Sequence, residues 1–411
     1  MNNSQLPKGY KLTEVGVIPE DWNVRGLLST VRIANGQVDP RNEPFRSMIL
    51  VAPDHVESAT GKLLAKKTAG EQQAISGKYL FDDGDIVYSK IRPYLKKAIL
   101  ADFVGLCSAD MYPLKPVADV IGGFIFSVLL AHRFTKYAES VSVRSGMPKI
   151  NRAEMADFIL PLPPLPEQRS IATALSDMDE LLGGLDRLIA KKRDLKQSAM
   201  QQLLTGKMRL PGFDGEWEMK QLKELAHIQR GASPRPIDSP IWFNNNSSVG
   251  WVRISDVTRS GMYLCQTYQR LSPLGVQHSR PVPRGSLIMS ICATVGRPII
   301  TKIDVCIHDG FVVFDNLQTE QLFMYYILKW IEPDWSKHGQ TGSQMNLNTE
   351  LINYTNVRVP PLPEQNAIAS ILSDMDTEIA TIEQRRNKTR DLKQAMMQEL
   401  LTGRIRLKIK A

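Results

Sequence analysis

The stretch Pro163–Leu210, PPLPEQRSIATALSDMDELLGGLDRLIAKKRDLKQSAMQQLLTGKMRL, occurs a second time as Pro360–Leu407, PPLPEQNAIASILSDMDTEIATIEQRRNKTRDLKQAMMQELLTGRIRL. The two stretches align without a gap at a constant offset of 197 residues, and 27 of their 48 positions are identical. Identity of this extent at a fixed offset indicates a tandem duplication. We therefore expect a protein that is built from two similar halves.

Each copy has the features of one long helix. Pro166 and Pro363 fit a first helical turn, where a missing N–H costs nothing, and the glutamate that follows favours the positive end of the helix dipole. Gly206 and Gly403 fit the left-handed position just past a helix end. The segment Glu167–Thr205 predicts a helix of 39 residues, about 58 Å long at ~1.5 Å per residue.

The apolar residues inside both copies recur at alternating steps of four and three, which is the seam of a coiled coil. Each copy is the other's obvious partner, and both parallel and antiparallel pairing are sterically possible. The alternative is that two amphipathic helices pack on separate domain cores. The predicted seam consists of Ile171, Leu175, Met178, Leu182, Leu185 and Ile189, together with Ile368, Leu372, Met375, Ile379 and Ile382. The stripe is expected to resume with Leu195, Ala199 and Leu203, and with Leu392, Met396 and Leu400.

Length and composition limit the class of protein. A chain of 411 residues with 43% hydrophobic and 23% charged residues is typical of two to four soluble domains. No secretion signal and no stretch of 18 apolar residues is found, so we expect a cytoplasmic protein without a membrane partner. The four cysteines show no metal-binding spacing and are expected to be reduced. The net charge of +8 suits a polyanionic partner.

The segments that flank the repeats predict two related α+β domains. Trp22–Leu27 resembles Trp217–Leu222, and Gly84–Ser89 resembles Gly285–Ser290, an apolar strand after a turn. Short β-like runs dominate both segments, with a few helical pieces. The predicted fold is therefore α+β, with two globular domains separated by two long helices that pair within the chain. The predicted boundaries are 1–160 for the first domain, 161–207 for the first long helix, 208–358 for the second domain and 359–411 for the second long helix.

Two stretches of the first domain are candidates for contact with nucleic acid. Tyr88–Lys97 alternates basic, hydroxyl and aromatic side chains just past a predicted strand, and Arg144–Lys149 is a second basic stretch. Basic side chains can neutralise phosphates, and hydroxyl groups can add hydrogen bonds. The alternative is that both stretches are ordinary solvated loops. The candidate contacts are Ser89, Lys90, Arg92, Tyr94, Lys96, Lys97, Arg144 and Lys149.

The second domain prefers arginine to lysine, ten against five over residues 208–358. Arginine is the better reader of bases because its planar fork can bind guanine O6 and N7 together. Arg230–Arg235 is a turn-rich basic loop, and Gly339–Asn346 carries amides that could read adenine edges. The candidate contacts are Arg230, Arg235, Arg253, Gln340, Gln344 and Asn346.

The sequence contains no recognisable catalytic centre. No P-loop, dinucleotide-binding glycine motif, amino-methyltransferase motif or nuclease centre is found. Cys306, His308 and Asp309 lie close in sequence, but side chains of an extended segment alternate faces, so a triad is not expected. We therefore predict a protein that binds and positions, with no metal or cofactor of its own.

These features resemble the specificity subunit of type I restriction–modification enzymes, and the resemblance covers the whole chain. It is carried by the opening Tyr10–Trp22 and by the boxes Pro163–Gln168 and Pro361–Gln365, each running on to Leu-Leu-Thr-Gly. Asp85–Pro93 and Gly231–Asp256 resemble segments of the target recognition domains of that family.

The resemblance implies a role in double-stranded DNA recognition. Each recognition domain would read one half of a split, asymmetric site, and the two helices would pair antiparallel and set the gap between the halves. Two modification subunits, which carry S-adenosylmethionine and the methyltransferase centre, would assemble around this chain, and restriction subunits could join. The competing hypotheses are a scaffold that joins proteins without reading DNA, and an enzyme with an unrecognised centre.

Overall fold

A computed structural model describes residues 6–142, 146–337 and 347–407, and the chain divides into two units. Unit 1 is built from the residues up to Arg187 and from those beginning at Glu383, and unit 2 is built from Leu188–Ile382. Each unit therefore contains one globular part, the first half of one long helix and the second half of the other.

Unit 1 is a mixed α+β structure. Its strands β1 to β11 are Tyr10–Thr13, Gly16–Pro19, Asn23–Gly26, Val31–Ile33, Leu50–Val51, Tyr79–Phe81, Ile86–Ser89, Ala98–Leu100, Gly105–Cys107, Met111–Pro116 and Ile159–Leu162. Its helices α1 to α4 are Leu27–Thr30, Gly122–Leu130, His132–Val141 and Arg152–Ala156, and the long helix α5 is Leu165–Leu203. One sheet has the strand order β4-β10-β7-β8 and a second has the order β5-β9-β6.

Unit 2 has the same plan, and each of its two main sheets has one strand more than its counterpart in unit 1. Its strands β12 to β22 are Glu218–Gln221, His227–Arg230, Gly250–Val252, Tyr263–Leu264, Gln269–Arg270, Arg280–Val282, Leu287–Ser290, Pro298–Thr301, Val305–Ile307, Phe311–Asp315 and Asn356–Val359. Its helices α6 to α10 are Leu222–Leu225, Ile254–Arg259, Pro273–Gln277, Gln321–Lys337 and Thr349–Asn353, and the long helix α11 is Leu362–Leu400. Its sheets have the orders β13-β21-β18-β19-β15 and β16-β14-β20-β17.

The strand orders of the two units match one another. In unit 1, β4-β10-β7-β8 corresponds to β13-β21-β18-β19, and β5-β9-β6 corresponds to β14-β20-β17. In the second sheet, β5 pairs parallel with β9 as β14 does with β20, and β6 pairs antiparallel with β9 as β17 does with β20. The duplication visible in the helices therefore extends through the globular parts, where the sequences have diverged. The predicted α+β fold is confirmed.

Equivalent asparagines begin the short helix that precedes each long helix. Asn151 Oδ1 accepts a hydrogen bond from the Glu154 backbone at 2.9 Å, and Asn348 Oδ1 accepts one from the Leu351 backbone at 2.7 Å. An asparagine at this position satisfies a backbone donor that has no partner inside the helix. The 197-residue offset of these two residues therefore reflects the same local role.

The long helices pair antiparallel within each unit. In unit 1, Lys393 lies 2.5 Å from Asp179 and Arg386 lies 3.2 Å from Asp186, so the numbers fall along α11 as they rise along α5. In unit 2 the same order holds for the pairs Lys196–Asp376, at 2.5 Å, and Lys192–Glu378, at 2.6 Å. Lys196–Asp376 and Lys393–Asp179 are the same pair in the two copies, because both residues are offset by 197.

The predicted seam residues are buried or half-buried. Ile171 and Leu175 also belong to the core of unit 1, and Ile368 and Leu372 belong to the core of unit 2. The alternative of packing on separate cores is thus partly right for the first turns of each helix, which contact their domain as well as the other helix. The seam residues outside these turns are Met178, Leu182, Leu185, Ile189, Met375, Ile379 and Ile382.

The predicted resumption of the stripe is wrong at two positions. Leu195 and Leu392 are about half exposed, at 48% and 55%. The alternation of four and three continues instead through Lys196 and Lys393, whose ammonium groups pair with aspartates of the facing helix. The aliphatic part of a lysine can cover apolar surface while its charge finds a partner at the edge. The seam therefore becomes partly polar towards the end of each copy.

An arginine clamps the end of the second helix copy to the start of the first. In unit 1, Arg406 donates to both carboxylate oxygens of Glu167, at 3.1 and 2.6 Å, and Trp22 Nε1 donates to the same carboxylate at 3.0 Å. Arg406 also binds both oxygens of Asp21, at 2.9 and 2.7 Å. The hydrogen bonds to Glu167 and Asp21 raise the pKa of Arg406 above its ordinary value. We call this group the unit 1 clamp.

The same arrangement occurs in unit 2 with the roles of the copies exchanged. Arg209 donates to the two oxygens of Glu364 at 2.6 and 2.7 Å, and Trp217 Nε1 donates to it at 3.1 Å. We call this group the unit 2 clamp. Glu364 is 1% exposed, so its charge depends on these donors rather than on water. Each clamp therefore joins the first and second copies at a buried carboxylate.

Replacing Ile189 by aspartate is expected to destabilise unit 2 by several kcal/mol, because an unpaired charge would be placed on a buried seam. Ile189 is 3% exposed and lies outside the domain core, so the effect would report on helix pairing. Leu188→Asp is the matched control, since Leu188 is 40% exposed, and its effect should stay near 0.5 kcal/mol. Urea denaturation of both variants measures the difference, and equal stabilities would show that the seam is not buried in solution.

Candidate nucleic-acid interface

The loop between β7 and β8 forms a basic surface on unit 1. Arg92 and Tyr94 are exposed, and Lys96 is half-buried. The loop is held by neighbouring backbone, because Arg92 N donates to Pro148 O at 2.8 Å and Ile150 N donates to Lys90 O at 2.9 Å. These bonds bring the exposed Lys149 beside the loop. The two stretches that the sequence marked separately therefore form one surface.

Two further cations at this surface lie close to the aromatic ring of Tyr112. Lys90 Nζ lies 5.3 Å from the centre of the Tyr112 ring, and the guanidinium carbon of Arg152 lies 5.9 Å from it. Arg152 also donates to Asn35 Oδ1 at 2.6 Å. Cations at these distances are attracted to the face of the ring. Arg152 and Asn35 were not predicted as site residues, because only the fold brings them to Lys90.

Two predicted contacts of this loop are directed inward. Ser89 is 2% exposed, and its hydroxyl donates to Ile91 O at 3.0 Å, so it closes the loop and does not face solvent. Its equivalent in unit 2, Ser290, is also buried and hydrogen-bonded within its own loop. Lys97 donates to Pro53 O at 2.6 Å. The prediction of a DNA contact is therefore not supported for Ser89, and the ammonium of Lys97 already has a protein partner.

Asp309 organises the basic surface of unit 2. Its backbone oxygen accepts from Arg230 Nε at 2.6 Å, and its carboxylate accepts from Ser233 Oγ at 2.8 Å and from Arg235 at 3.3 Å. Both arginines are exposed. Burial raises the pKa of the Asp309 carboxyl, but the Ser233 hydrogen bond and the charges of His308, Arg235 and Arg230 outweigh burial and lower it. The charged carboxylate of Asp309 thus orients Arg235, and its backbone oxygen orients Arg230.

Arg253 lies at the start of α7, on the exposed surface of unit 2. Burial lowers the pKa of the His308 imidazole, and the nearby charge of Arg253 lowers it further. Arg253 Nε donates to Gln269 Oε1 at 2.6 Å. Gln269 is a further residue that the sequence did not mark, because it is 16 positions away with no local motif.

The predictions for Arg144, Gln340, Gln344 and Asn346 fall outside the described residues. The other predicted DNA contacts remain predictions.

Chemistry at Cys306 is disfavoured by its surroundings. Burial raises the pKa of the Cys306 thiol to about 11, so the thiolate is scarce at neutral pH. In the part of the chain that the structure describes, no three His, Cys, Asp or Glu side chains are grouped so that they could hold a metal ion. None of the described helices is long and apolar enough to cross a membrane.

Comparison with protein families gives a match over most of the chain. The family model described as the type I restriction modification DNA specificity domain matches residues 19–190 and again residues 214–389. The two matches coincide with the duplication, since each covers one globular part and most of the long helix that follows it.

Individual relatives carry the same description. The type I restriction enzyme EcoDI specificity subunit of Escherichia coli is 34% identical over 205 residues, which are 49% of this chain and 45% of that protein. The type I restriction enzyme MjaVIII specificity subunit of Methanocaldococcus jannaschii is 26% identical over 74% of this chain and 75% of that protein. The first match thus spans less than half of the relative's length.

Solved structures share the fold. A chain from a structure of a type I R-M system has a TM-score of 0.63 at 21% identity, covering 94% of this chain and 99% of its own length. The S subunit of a type I restriction-modification system from M. genitalium has a TM-score of 0.58 at 14% identity, covering 92% of this chain and 96% of that one. At such identities the likeness concerns the arrangement of helices and strands.

Proposed function

We infer the function of this chain from its family, because it belongs to the type I restriction–modification DNA specificity subunits. We propose that each unit reads one half of a bipartite, asymmetric site in double-stranded DNA. The paired helices set the distance between the halves. The observation that carries this proposal is that the two units have corresponding strand orders but form their basic surfaces from different segments.

The surface of unit 1 is suited to phosphates. Lys90, Arg92 and Lys149 project from two backbone segments that hydrogen-bond to each other, and Arg152 adds a fourth cation. Several cations on a rigid surface can neutralise neighbouring phosphates and fix the register of a protein on the duplex. Base contacts of unit 1 would then come from side chains that this register places in a groove.

The basic surfaces of the two units are formed by different segments of the shared fold. The loop of unit 2 that corresponds to the basic β7–β8 loop carries Cys292, Thr294 and one basic residue, Arg297, whose guanidinium donates to Ser260 O at 3.2 Å. The exposed residues Arg230, Arg235 and Arg253 come from other segments. Two domains with one plan but different contact segments are expected to read different base sequences. An asymmetric site follows from that difference.

The helix pair supports the spacing role. Two major-groove sites on one face of a duplex lie about one helical turn, ~34–36 Å, apart. Each long helix has 39 residues, about 58 Å at ~1.5 Å per residue. A flexible linker of similar span could not hold the register between two reading domains. The helices are therefore stiff and long enough for this purpose.

The remaining partners follow from the same proposal. Two methyltransferase subunits, which hold S-adenosylmethionine and the catalytic centre, would dock on this chain, and restriction subunits could join the complex. The chain itself would be non-catalytic and bind no cofactor. It would act in the cytoplasm, where bacterial and archaeal DNA lies.

A salt titration with Lys149→Gln tests the proposal. The chain, expressed with its methyltransferase subunits, should bind a bipartite duplex with an affinity that falls steeply as salt rises, because bound cations release counterions. Lys149→Gln should weaken binding to all sequences alike and reduce the slope of log K against log salt by about one. Lys97→Gln is the control in the same loop, and its slope should match that of the native chain because its ammonium is held by Pro53.

The native complex must show salt-sensitive binding to a bipartite site for the proposal to stand. Binding that ignores salt and sequence would instead favour a scaffold that joins proteins. Methylation by the purified chain alone would favour an enzyme.

A further inference from the structure

Asp256 connects the two backbone segments that carry Arg253 and Gln269. Its carboxylate accepts from Arg253 N at 2.9 Å through one oxygen and from Tyr268 N at 3.2 Å through the other. Asp256 is 7% exposed, so these bonds are shielded from water. In β14 and β16, Trp251 lies opposite Gln269 in antiparallel register. The backbones on both sides of the Arg253–Gln269 pair are therefore held rigidly.

The side chains of this pair present hydrogen-bond donors to solvent. Gln269 Oε1 accepts from Arg253 Nε at 2.6 Å, which fixes the plane of the guanidinium. Within the described residues, no protein atom accepts a hydrogen bond from the two terminal nitrogens of Arg253 or from the amide nitrogen of Gln269. The pair borders an open cavity whose other lining residues are Ile237, Asp238, Pro240, Phe243 and Asn245. The free nitrogens are therefore accessible to a ligand.

The donor pattern selects one base. The terminal nitrogens of a guanidinium form a fork of two parallel donors. In the major groove only guanine offers two neighbouring acceptors, O6 and N7, whereas adenine pairs an acceptor with a donor and thymine offers O4 beside a methyl group. When an acceptor binds Nε, the two terminal nitrogens stay free and point away from it. The fork that they form complements guanine and mismatches the other three bases.

We propose that Arg253 reads a guanine in the half-site bound by unit 2 and that Gln269 is the residue that positions its fork. The inference rests on the proposed function, since it assigns one base contact within it. Arg253 alone could rotate towards a phosphate, which carries no sequence information. The bond to Gln269 Oε1 is what gives the fork one orientation. The role of Gln269 is thus separable from a general electrostatic contribution.

Selection from a random duplex library tests this assignment. The full-length chain in complex with its methyltransferase subunits would be compared with Arg253→Lys and Gln269→Leu. Arg253→Lys keeps the charge but loses the fork, and Gln269→Leu keeps the size but loses the acceptor. Both should lower the preference for guanine at one position of one half-site by about 10- to 100-fold, while the other half-site is unchanged. The salt slope of Arg253→Lys should remain that of the native complex.

Two further variants separate positioning from folding. Gln269→Glu retains an oxygen acceptor, so it should keep the guanine preference while lowering affinity at every sequence through repulsion of phosphates. Arg270→Gln alters the adjacent exposed arginine of β16, whose guanidinium donates to Ser247 O at 2.7 Å, and should leave the base preferences intact. Thermal unfolding of each variant shows whether unit 2 is still folded.

Three results would overturn the assignment. Unchanged guanine preference in Arg253→Lys would remove Arg253 as a reader, and unchanged preference in Gln269→Leu would remove the positioning role. An equal loss of affinity for all sequences, with a reduced salt slope and unchanged base preferences, would show a phosphate contact instead. If the native complex itself selected no bipartite site, the proposed function would fail. In the three results above the native complex still selects its site, so the two kinds of failure are distinguishable.

Discussion

Deleting residues 183–189 and 383–389 together is expected to weaken binding to a site of native spacing by at least about 100-fold and to change the preferred spacing. The two segments are chosen in the antiparallel register of the Asp186–Arg386 pair, so the pairs Lys196–Asp376 and Lys393–Asp179 can still form. Seven residues are one heptad, so the seam keeps facing its partner after the deletion.

The size of the effect follows from lengths and from the cost of lost base contacts. Seven residues correspond to about 10 Å of helix, which is the rise of about three base pairs of DNA at ~3.4 Å each. A half-site displaced by three base pairs meets wrong bases, and each mismatch costs about 1–3 kcal/mol. Two or more mismatches give about 100-fold. The lost surface ion pair contributes little to stability.

Binding selections with spacers of varied length measure this outcome. The double deletion should prefer a spacer about three base pairs shorter, or no fixed spacer if the changed rotation of the units cannot be accommodated. Deleting 183–189 alone is the control, since it removes the match between the two helices and should destabilise the chain. A double deletion that folds and keeps the native spacing preference would contradict the role of the helices as a ruler.

Replacing Arg406 by alanine is expected to destabilise unit 1 by about 3–5 kcal/mol, because it leaves a buried carboxylate without its cation. Glu167 is 0% exposed, and after the change Trp22 Nε1 would be its only side-chain donor among the residues that the structure describes. Arg404→Ala is the matched control. Arg404 contacts Glu399 at 3.4 Å with a side chain that is 59% exposed, and its removal should cost less than about 1 kcal/mol.

A second change in the same variant tests the cause. Adding Glu167→Gln to Arg406→Ala removes the uncompensated charge while an amide oxygen can still accept from Trp22, so much of the lost stability should return. Urea denaturation of the full-length chain gives the free energies. If Arg406→Ala resembles Arg404→Ala, or if the second change brings no recovery, the unit 1 clamp is not a buried ion pair in solution.

The candidate site shows where sequence reasoning succeeds and where it stops. Arg92 and Lys149 were identified because basic residues in turn-rich segments tend to be exposed, and both are. Ser89 was misjudged because a serine after a strand can either face solvent or close the loop, and nothing local distinguishes the two. Gln269 and Asp309 were missed as site residues because their importance depends on partners 16 and more than 70 positions away.

The same limit explains the error in the seam. Leu195 and Leu392 fit an apolar stripe when each helix is considered alone, but the facing aspartates draw Lys196 and Lys393 into the neighbouring positions. Whether a leucine or a lysine occupies a seam depends on the other helix. Periodicity within one segment does not contain that information.

The sequence by itself determined the duplication, the two long helices and the α+β character of the parts between them, because repeats, end signals and periodicity are local properties of the chain. Only the tertiary structure decided that the helices pair antiparallel, that each clamp joins one copy to the other, and which cations share a surface. Those features depend on contacts between residues far apart in sequence, such as Asp179 with Lys393 and Glu167 with Arg406, 214 and 239 positions apart. Such contacts form only when the whole chain has folded, since each requires the geometry that the others provide.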